Sequence, residues 1–358
     1  MDYASYLRLP QLLSNQQMES EKQGKTAHDE MLFIVIHQTY ELWFKQILYE
    51  LDLIQSIFGG DMVDDAKLGR AVHAAERIVK IEQLVVGQID ILETMTPMDF
   101  LEFRDLLMPA SGFQSEQFRL IEIRLGLKRA ARLPFNDQSF DAALGDDTRK
   151  RIADAEAKPS LRDQIDAWLV RTPFVNHSGF KFREAFEKSL DTMLSQDMAR
   201  IGNHPHLSQG EKDVQLASLQ KSRAMFDGLL DDARYAALHA QGDWTFSRHA
   251  LQAALFLFLY RDEPAANAGF RMLKALMDID ETLALWRMRH ALMVSRMLGR
   301  KVGTGGSSGY DYLRATADKH RAYNDLFAIA TFLIPRSALP PLPDEVRKSM
   351  RYRYEQQP

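Results

Sequence analysis

Apolar positions recur at three- and four-residue spacing along most of this chain, and the runs stop at glycine, proline and capping residues. The first long run extends from about His28 into the late fifties; Thr26 or Asp29 is placed to cap it, and Gly59-Gly60 to end it. A second long helix is predicted from Asp64 to about Thr94, with Leu68, Val72, Ala75, Ile78, Ile81, Leu84 and Val85 close to a three- and four-residue spacing. Thr96-Pro97 starts a short helix, because proline suits a first turn, and Pro109-Ala-Ser-Gly112 breaks it. Gln114 to Leu127 resumes the helical pattern and closes at Gly126.

From Ala130 to about Gly242 the charge density rises, and prolines interrupt the pattern at 134, 159, 173 and in Asn203-His-Pro-His206. Asp213 to Ala240 reads as one amphipathic helix with an alternating-charge face. This middle third, roughly 131–242, is expected to be a helical insert within a single domain spanning 1–358. The apolar pattern returns at Ser247–Tyr260, breaks at Asp262-Glu-Pro264 and runs on through Phe270. Arg314–Phe332 is again helical, and Pro335–Pro343 is a proline-rich exit. No period-2 strand, hairpin signal or internal repeat stands out, so the expected class is all-α.

The stretch Leu285–Tyr310 begins as a helix and ends as a glycine loop. Leu285, Met288 and Leu292 are spaced to share a buried face, with Arg287, Arg289, Arg296, Arg300 and Lys301 marking the outer one. Gly299 stands where a helix C-terminus takes a residue tolerant of positive φ. His290 lies mid-helix, and Gly303 to Gly309 follow as a hydroxyl-bearing loop: a linker, or a lid over whatever His290 faces.

Composition narrows the chemistry. A net charge of -4, from 45 basic and 49 acidic residues, leaves no footprint for nucleic acid. The absence of cysteine excludes disulfides, thiolate metal sites and thiol nucleophiles, so a metal or cofactor must be held by histidine, carboxylate, tyrosine or methionine. The most apolar run, Ala250–Tyr260, is far shorter than the roughly 18–20 residues of a membrane span. The N-terminus lacks a basic segment followed by an apolar one, so a cytoplasmic protein is expected, with no membrane partner.

Four features carry candidate chemistry, each beside a plainer reading. His37, four residues after Phe33 in an apolar helix, is either a ligand-facing imidazole or a core histidine bonded to Glu41. His290 repeats the situation, and two buried histidines on separate apolar helices fit the two faces of a haem as well as they fit a core. Arg104, sharing a helical face with Phe100, is either a bidentate carboxylate clamp or a surface cation paired with Glu102 or Asp105. Glu30 and Glu41 lack the Glu-x-x-His spacing of a carboxylate-bridged metal pair, and His204-Pro-His206 lacks a third ligand.

Three stretches together, HDEMLFIVIHQTYELWFKQ, LETMTPMDFLEFRDLLMPASGFQS and LWRMRHALMVSRMLGRKVGTGGSSGYDYLR, resemble the haem-dependent tryptophan 2,3-dioxygenases. AWLVRTP, LYRDEP, LMDIDETLALW and FLIPR extend the resemblance over nearly the whole chain, the middle third matching longer, animal-type members. The resemblance implies haem b (iron protoporphyrin IX) with His290 as the proximal axial ligand. On the distal side it implies His37 as the catalytic acceptor of the indole N–H, Phe33 and Phe100 as walls of the indole pocket, and Ser111 near the haem. It further implies Arg104 on the substrate carboxylate, Thr304 on the ammonium and carboxylate end, and a homotetramer in which Tyr3 and Tyr6 complete a neighbour's active site. The implied reaction inserts dioxygen across the C2–C3 bond of L-tryptophan to give N-formyl-L-kynurenine, opening tryptophan degradation by the kynurenine route. Haem mono-oxygenation of tryptophan or a substituted tryptophan, and a haem sensor without turnover, remain the alternatives. A second, non-catalytic tryptophan site of longer members is matched at Trp168, Arg171 and Pro173, but Val63 stands where an arginine is expected.

Overall fold

The structure, a computed structural model, describes residues 1–133, 144–177, 179–299 and 309–352. It is all-α: helices carry nearly every described segment, and the only pairing among those residues is a two-residue ribbon, Asn176–His177 against Phe180–Lys181. Among the described residues no helix is long and apolar enough to cross a membrane.

Two compact units are present. The first comprises Met1–Ser56, His73–Leu161 and Asp278–Ala322; the second comprises Ile57–Val72, Arg162–Met277 and Tyr323–Pro358. The second unit is built on Phe182–Gly202, Gln209–Leu230, Asp232–Gln241 and Arg248–Leu259. Ser247 caps the last of these through Ala250 N–H, and the helix is buried on most faces, as its unbroken apolar sequence requires. Asp325, itself buried, accepts from Thr245 N–H at 2.7 Å and Phe246 N–H at 2.8 Å, fastening the approach to that helix.

The first unit takes its frame from residues 30–56, 73–92 and 278–298 of the three long helices Glu30–Phe58, Asp65–Leu92 and Pro264–Leu298, together with the shorter Glu116–Leu125 and Gly309–Lys319. Local signals set several of their ends. Thr96 and Asp99 form a reciprocal capping box before Pro97–Leu101. Gly126, with φ 125°, stops Glu116–Leu125, and Gly299, with φ 59°, follows Leu298. Glu30, buried at the start of its helix, accepts the N–H groups of Glu19 and Ser20 at 2.7 and 3.0 Å and so ties down the segment before it.

Three expectations need correction. The run Asp213–Ala240 is two helices, because Asp231 turns extended and caps the second through Arg234 N–H. Arg314–Phe332 is interrupted at 320–323, where Asp280 accepts from Arg321 Nε and Ala322 N–H, both at 2.8 Å. Most consequentially, the helix bearing His290 is turned from its expected orientation: Leu285 and Leu292 are 50% and 49% exposed, whereas Arg287 is 4% exposed. The guanidinium of Arg287 goes inside because it finds partners there, Glu122 Oε1 at 2.7 Å and the His320 carbonyl at 3.0 Å.

Candidate active site

The Glu30–Phe58 helix repeats aromatic and polar residues on one side at three- and four-residue steps, and this side lines a cavity of about 280 Å³. It contributes Phe33, His37, Tyr40, Glu41 and Phe44. The Pro264–Leu298 helix contributes Trp286, Arg287, His290, Met293, Val294 and Met297. Phe100, the Ser111–Phe113 turn, Phe118, Arg119 and Glu122 of the Glu116–Leu125 helix, and Tyr312 and Thr316 complete much of the wall. All of these residues belong to the first unit.

His37 Nδ1 lies 2.7 Å from the carbonyl of Phe33, one turn back on the same helix. A carbonyl only accepts, so the imidazole carries its proton on Nδ1 and leaves the Nε2 lone pair unused. Burial pushes the His37 pKa down against the opposing pull of that bond and of Glu41, which keeps the ring neutral near pH 7. Its expected partner, Glu41, is engaged elsewhere: it accepts from Ser115 Oγ at 2.6 Å and Gln117 Nε2 at 2.8 Å. The Phe33 ring lies 4.0 Å from the His37 ring, and Phe100 stacks on Phe33 at 5.8 Å.

His290 is held differently. Among the described residues its ring has no hydrogen-bond partner, its Nδ1 is sealed from solvent, and Trp286 stacks on it at 5.3 Å. Burial first, and the nearby His37 second, push its pKa down to about 4. Two neutral imidazoles therefore open on one apolar cavity from separate helices.

One wall is cationic. Glu122 accepts from Arg132 Nη1 at 2.6 Å, Arg287 Nη2 at 2.7 Å and Arg119 Nη1 at 3.1 Å, with all four side chains buried. Burial alone would raise the Glu122 carboxyl. Arg132, His320, Arg119 and Arg287 together outweigh it and hold that carboxyl well below the usual range. His320 accepts the Leu133 N–H at Nε2, 3.2 Å away, and turns its Nδ1 toward Glu122 at 3.7 Å.

The remaining sequence candidates are placed as follows. Ser111 lines the cavity and caps the turn Gly112–Gln114. Arg104 is half-buried and opens the turn Arg104–Leu107, outside the cavity lining. Because the helix before it ends at Leu101, Arg104 does not share a helical face with Phe100. Tyr3 and Tyr6 sit on the short helix Tyr3–Leu7 and are 74% and 67% exposed. Thr304 and the glycine loop 303–308 lie outside the described residues. Tyr40, Trp286, Arg119, Glu122 and Arg287 were not singled out from sequence as ligand-facing. For Tyr40 and Trp286 a signal existed, since they fall one turn from His37 and His290 on the same helices. The Glu122 cluster had none, because Glu122 and Arg287 lie 165 residues apart.

A family model described as Tryptophan 2,3-dioxygenase matches residues 1–333. The chain belongs to the tryptophan 2,3-dioxygenase family. It is 46% identical over 352 residues to the tryptophan 2,3-dioxygenase of Bdellovibrio bacteriovorus, covering 98% of both chains. To those of Dictyostelium discoideum and Aedes aegypti it is 44% and 43% identical, covering 98% of this chain and 88% and 89% of theirs. The match to a bacterial chain end to end shows that the middle third is not confined to animal members.

Tryptophan 2,3-dioxygenases are haem-dependent, and the residues present suit such a group. An imidazole with no hydrogen-bond partner is an uncommon thing to bury and a ready ligand for iron. The rest of the cavity is apolar enough for a flat macrocycle, and Arg119 and Arg287 at its wall suit the carboxylates at that macrocycle's edge. Among the described residues no cluster of three or more histidine, aspartate or glutamate side chains offers an alternative metal site.

Proposed function

We propose that this chain holds haem b through His290 and converts L-tryptophan and dioxygen to N-formyl-L-kynurenine. The observation that carries the reading is the pair of neutral, desolvated imidazoles, His37 and His290, opening on one apolar cavity. Bound haem would supply the iron that takes up and activates dioxygen. The chain's own residues do the rest. His290, neutral and with Nδ1 buried, would hold the iron through its Nε2 lone pair. His37 holds its proton on Nδ1, so its Nε2 accepts the indole N–H and fixes the ring's orientation. Phe33 and Phe100 wall the indole and exclude water, and Ser111 borders the same space.

In this reading Arg104 pairs with the substrate carboxylate, and Thr304 closes on the ammonium and carboxylate end. Arg104→Ala then raises KM for tryptophan roughly ten- to hundredfold, the worth of a charge-assisted hydrogen-bond pair, with a smaller effect on kcat. Steady-state kinetics with KM unchanged would remove Arg104 from that role. The exposed Tyr3 and Tyr6 suit a homotetramer whose N-terminal helices complete neighbouring sites, in a cytoplasmic enzyme.

The decisive assay gives the dithionite-reduced, haem-loaded protein tryptophan and air and identifies the product by mass. N-formylkynurenine, carrying both atoms of labelled dioxygen, is the expected result. A singly oxygenated tryptophan, or a Soret band without oxygen uptake, overturns the dioxygenase reading in favour of a mono-oxygenase or a sensor.

A further inference from the structure

The two cavity histidines are fixed by unlike means. His37 is tied to its own helix by the bond to the Phe33 carbonyl, 2.7 Å away. His290 has no such tie, and its orientation rests on Trp286, one helical turn earlier, whose ring lies 5.3 Å away and only 17° from parallel. Trp286 is in turn caged: Phe118 lies 5.0 Å away, and Tyr40 and Phe44 meet it edge-on at 6.2 and 6.5 Å. The Tyr40 hydroxyl and the Trp286 indole N–H are both sealed from solvent, close to one another but short of full hydrogen-bond geometry. An indole N–H only donates, whereas a phenol oxygen also accepts, so the two are complementary. Burial pushes the Tyr40 hydroxyl up to about 12, so it stays neutral at working pH. Tyr40 also lies 6.1 Å from the His37 ring. The contacts thus run from His37 through Tyr40 and Trp286 to His290.

Resting on the reading of His290 as axial ligand, we propose that Tyr40 and Trp286 are positioning residues for His290. Tyr40, edge-on to the indole and with a hydroxyl complementary to its N–H, orients that ring, and the indole face sets the plane of the imidazole. Groups behind a ligating histidine fix its ring orientation and its basicity, and both determine the strength of the bond to iron. The usual device is a carboxylate or carbonyl on the far nitrogen. Here an aromatic face, locked by three further rings, takes that place among the described residues.

The test uses full-length, haem-loaded ferrous protein and the iron–imidazole stretching band in its resonance Raman spectrum. Tyr40→Phe removes one oxygen, and Trp286→Phe keeps an aromatic face but loses the N–H. Each variant is expected to move the band and to lower kcat roughly two- to tenfold, at most the worth of one neutral hydrogen bond, with KM for tryptophan within about twofold. Trp286→Leu, which removes the stacking face, moves the band further. An unmoved band in all three variants overturns the proposal even if activity falls, since a merely structural role costs folded protein and leaves the bond in the survivors unchanged. A wild-type band that persists in His290→Gly overturns the axial-ligand reading instead, so the two failures are told apart.

Discussion

His290→Ala protein, purified and offered haem, shows no Soret band characteristic of an axial imidazole, and its tryptophan turnover falls at least about a hundredfold, ~2.7 kcal/mol or more of barrier. Its apo form nevertheless unfolds within about 1 kcal/mol of wild type. The asymmetry follows from the structure. His290 makes no hydrogen bond among the described residues, so the fold loses none when the ring is removed, and the side chain already borders a cavity. A neutral imidazole whose Nδ1 is sealed from water without a partner contributes little to the fold and is left ready for a ligand at its other nitrogen. Absorbance spectra with and without dithionite, beside thermal unfolding of the apo protein, separate the two effects. A normal Soret band and normal turnover in the variant would remove His290 from the iron.

The second large effect is on stability. Glu122→Gln leaves the guanidinium groups of Arg119, Arg132 and Arg287 around a neutral amide in a buried site. Breaking a buried ion network from one side costs about 3–5 kcal/mol, far more than exposed pairs such as Lys181–Glu184 contribute. The pH dependence has a definite sign. Glu122 has its folded-state pKa held well below its ordinary 4.5, so its stabilisation is fully present above that value and is lost as pH falls through the folded pKa. Urea unfolding of wild-type and Glu122→Gln protein at pH 7 is expected to show the full gap, which narrows as the solution is acidified below 4.5. Equal midpoints at pH 7 would show that the cluster does not hold the unit together.

These two residues differ in how far they could be read in advance. His290 stood out as an imidazole in an apolar helix followed by Gly299 and a glycine loop, and the family motifs around it made its role an expectation. Glu122 is one of 49 acidic residues, and nothing within a few turns of it marks it as different. Likewise, the break at Asp231 and the break at 320–323 depend on contacts that a smooth apolar pattern does not reveal. Arg104 shows the limit of motif reading from the other side. Its neighbours identify the family, yet the helix end at Leu101 removes the helical face it was expected to share with Phe100.

By itself the sequence determined what is local: the all-α class, the helix starts near Thr96 and Ser247, the glycine stops at Gly126 and Gly299, and the side-by-side placing of Phe33 and His37. Each depends on residues within about one helical turn, where backbone geometry leaves few choices. The family motifs added the chemistry to expect. Only the tertiary structure decided which side of the Pro264–Leu298 helix goes inside. Periodicity marked Leu285 and Leu292 for burial, but burial follows the total of partners found, and a guanidinium with Glu122 and the His320 carbonyl waiting for it turns inward. That rotation brings Arg287 onto the cavity wall that His290 and Trp286 also line, a result that no window of sequence contains.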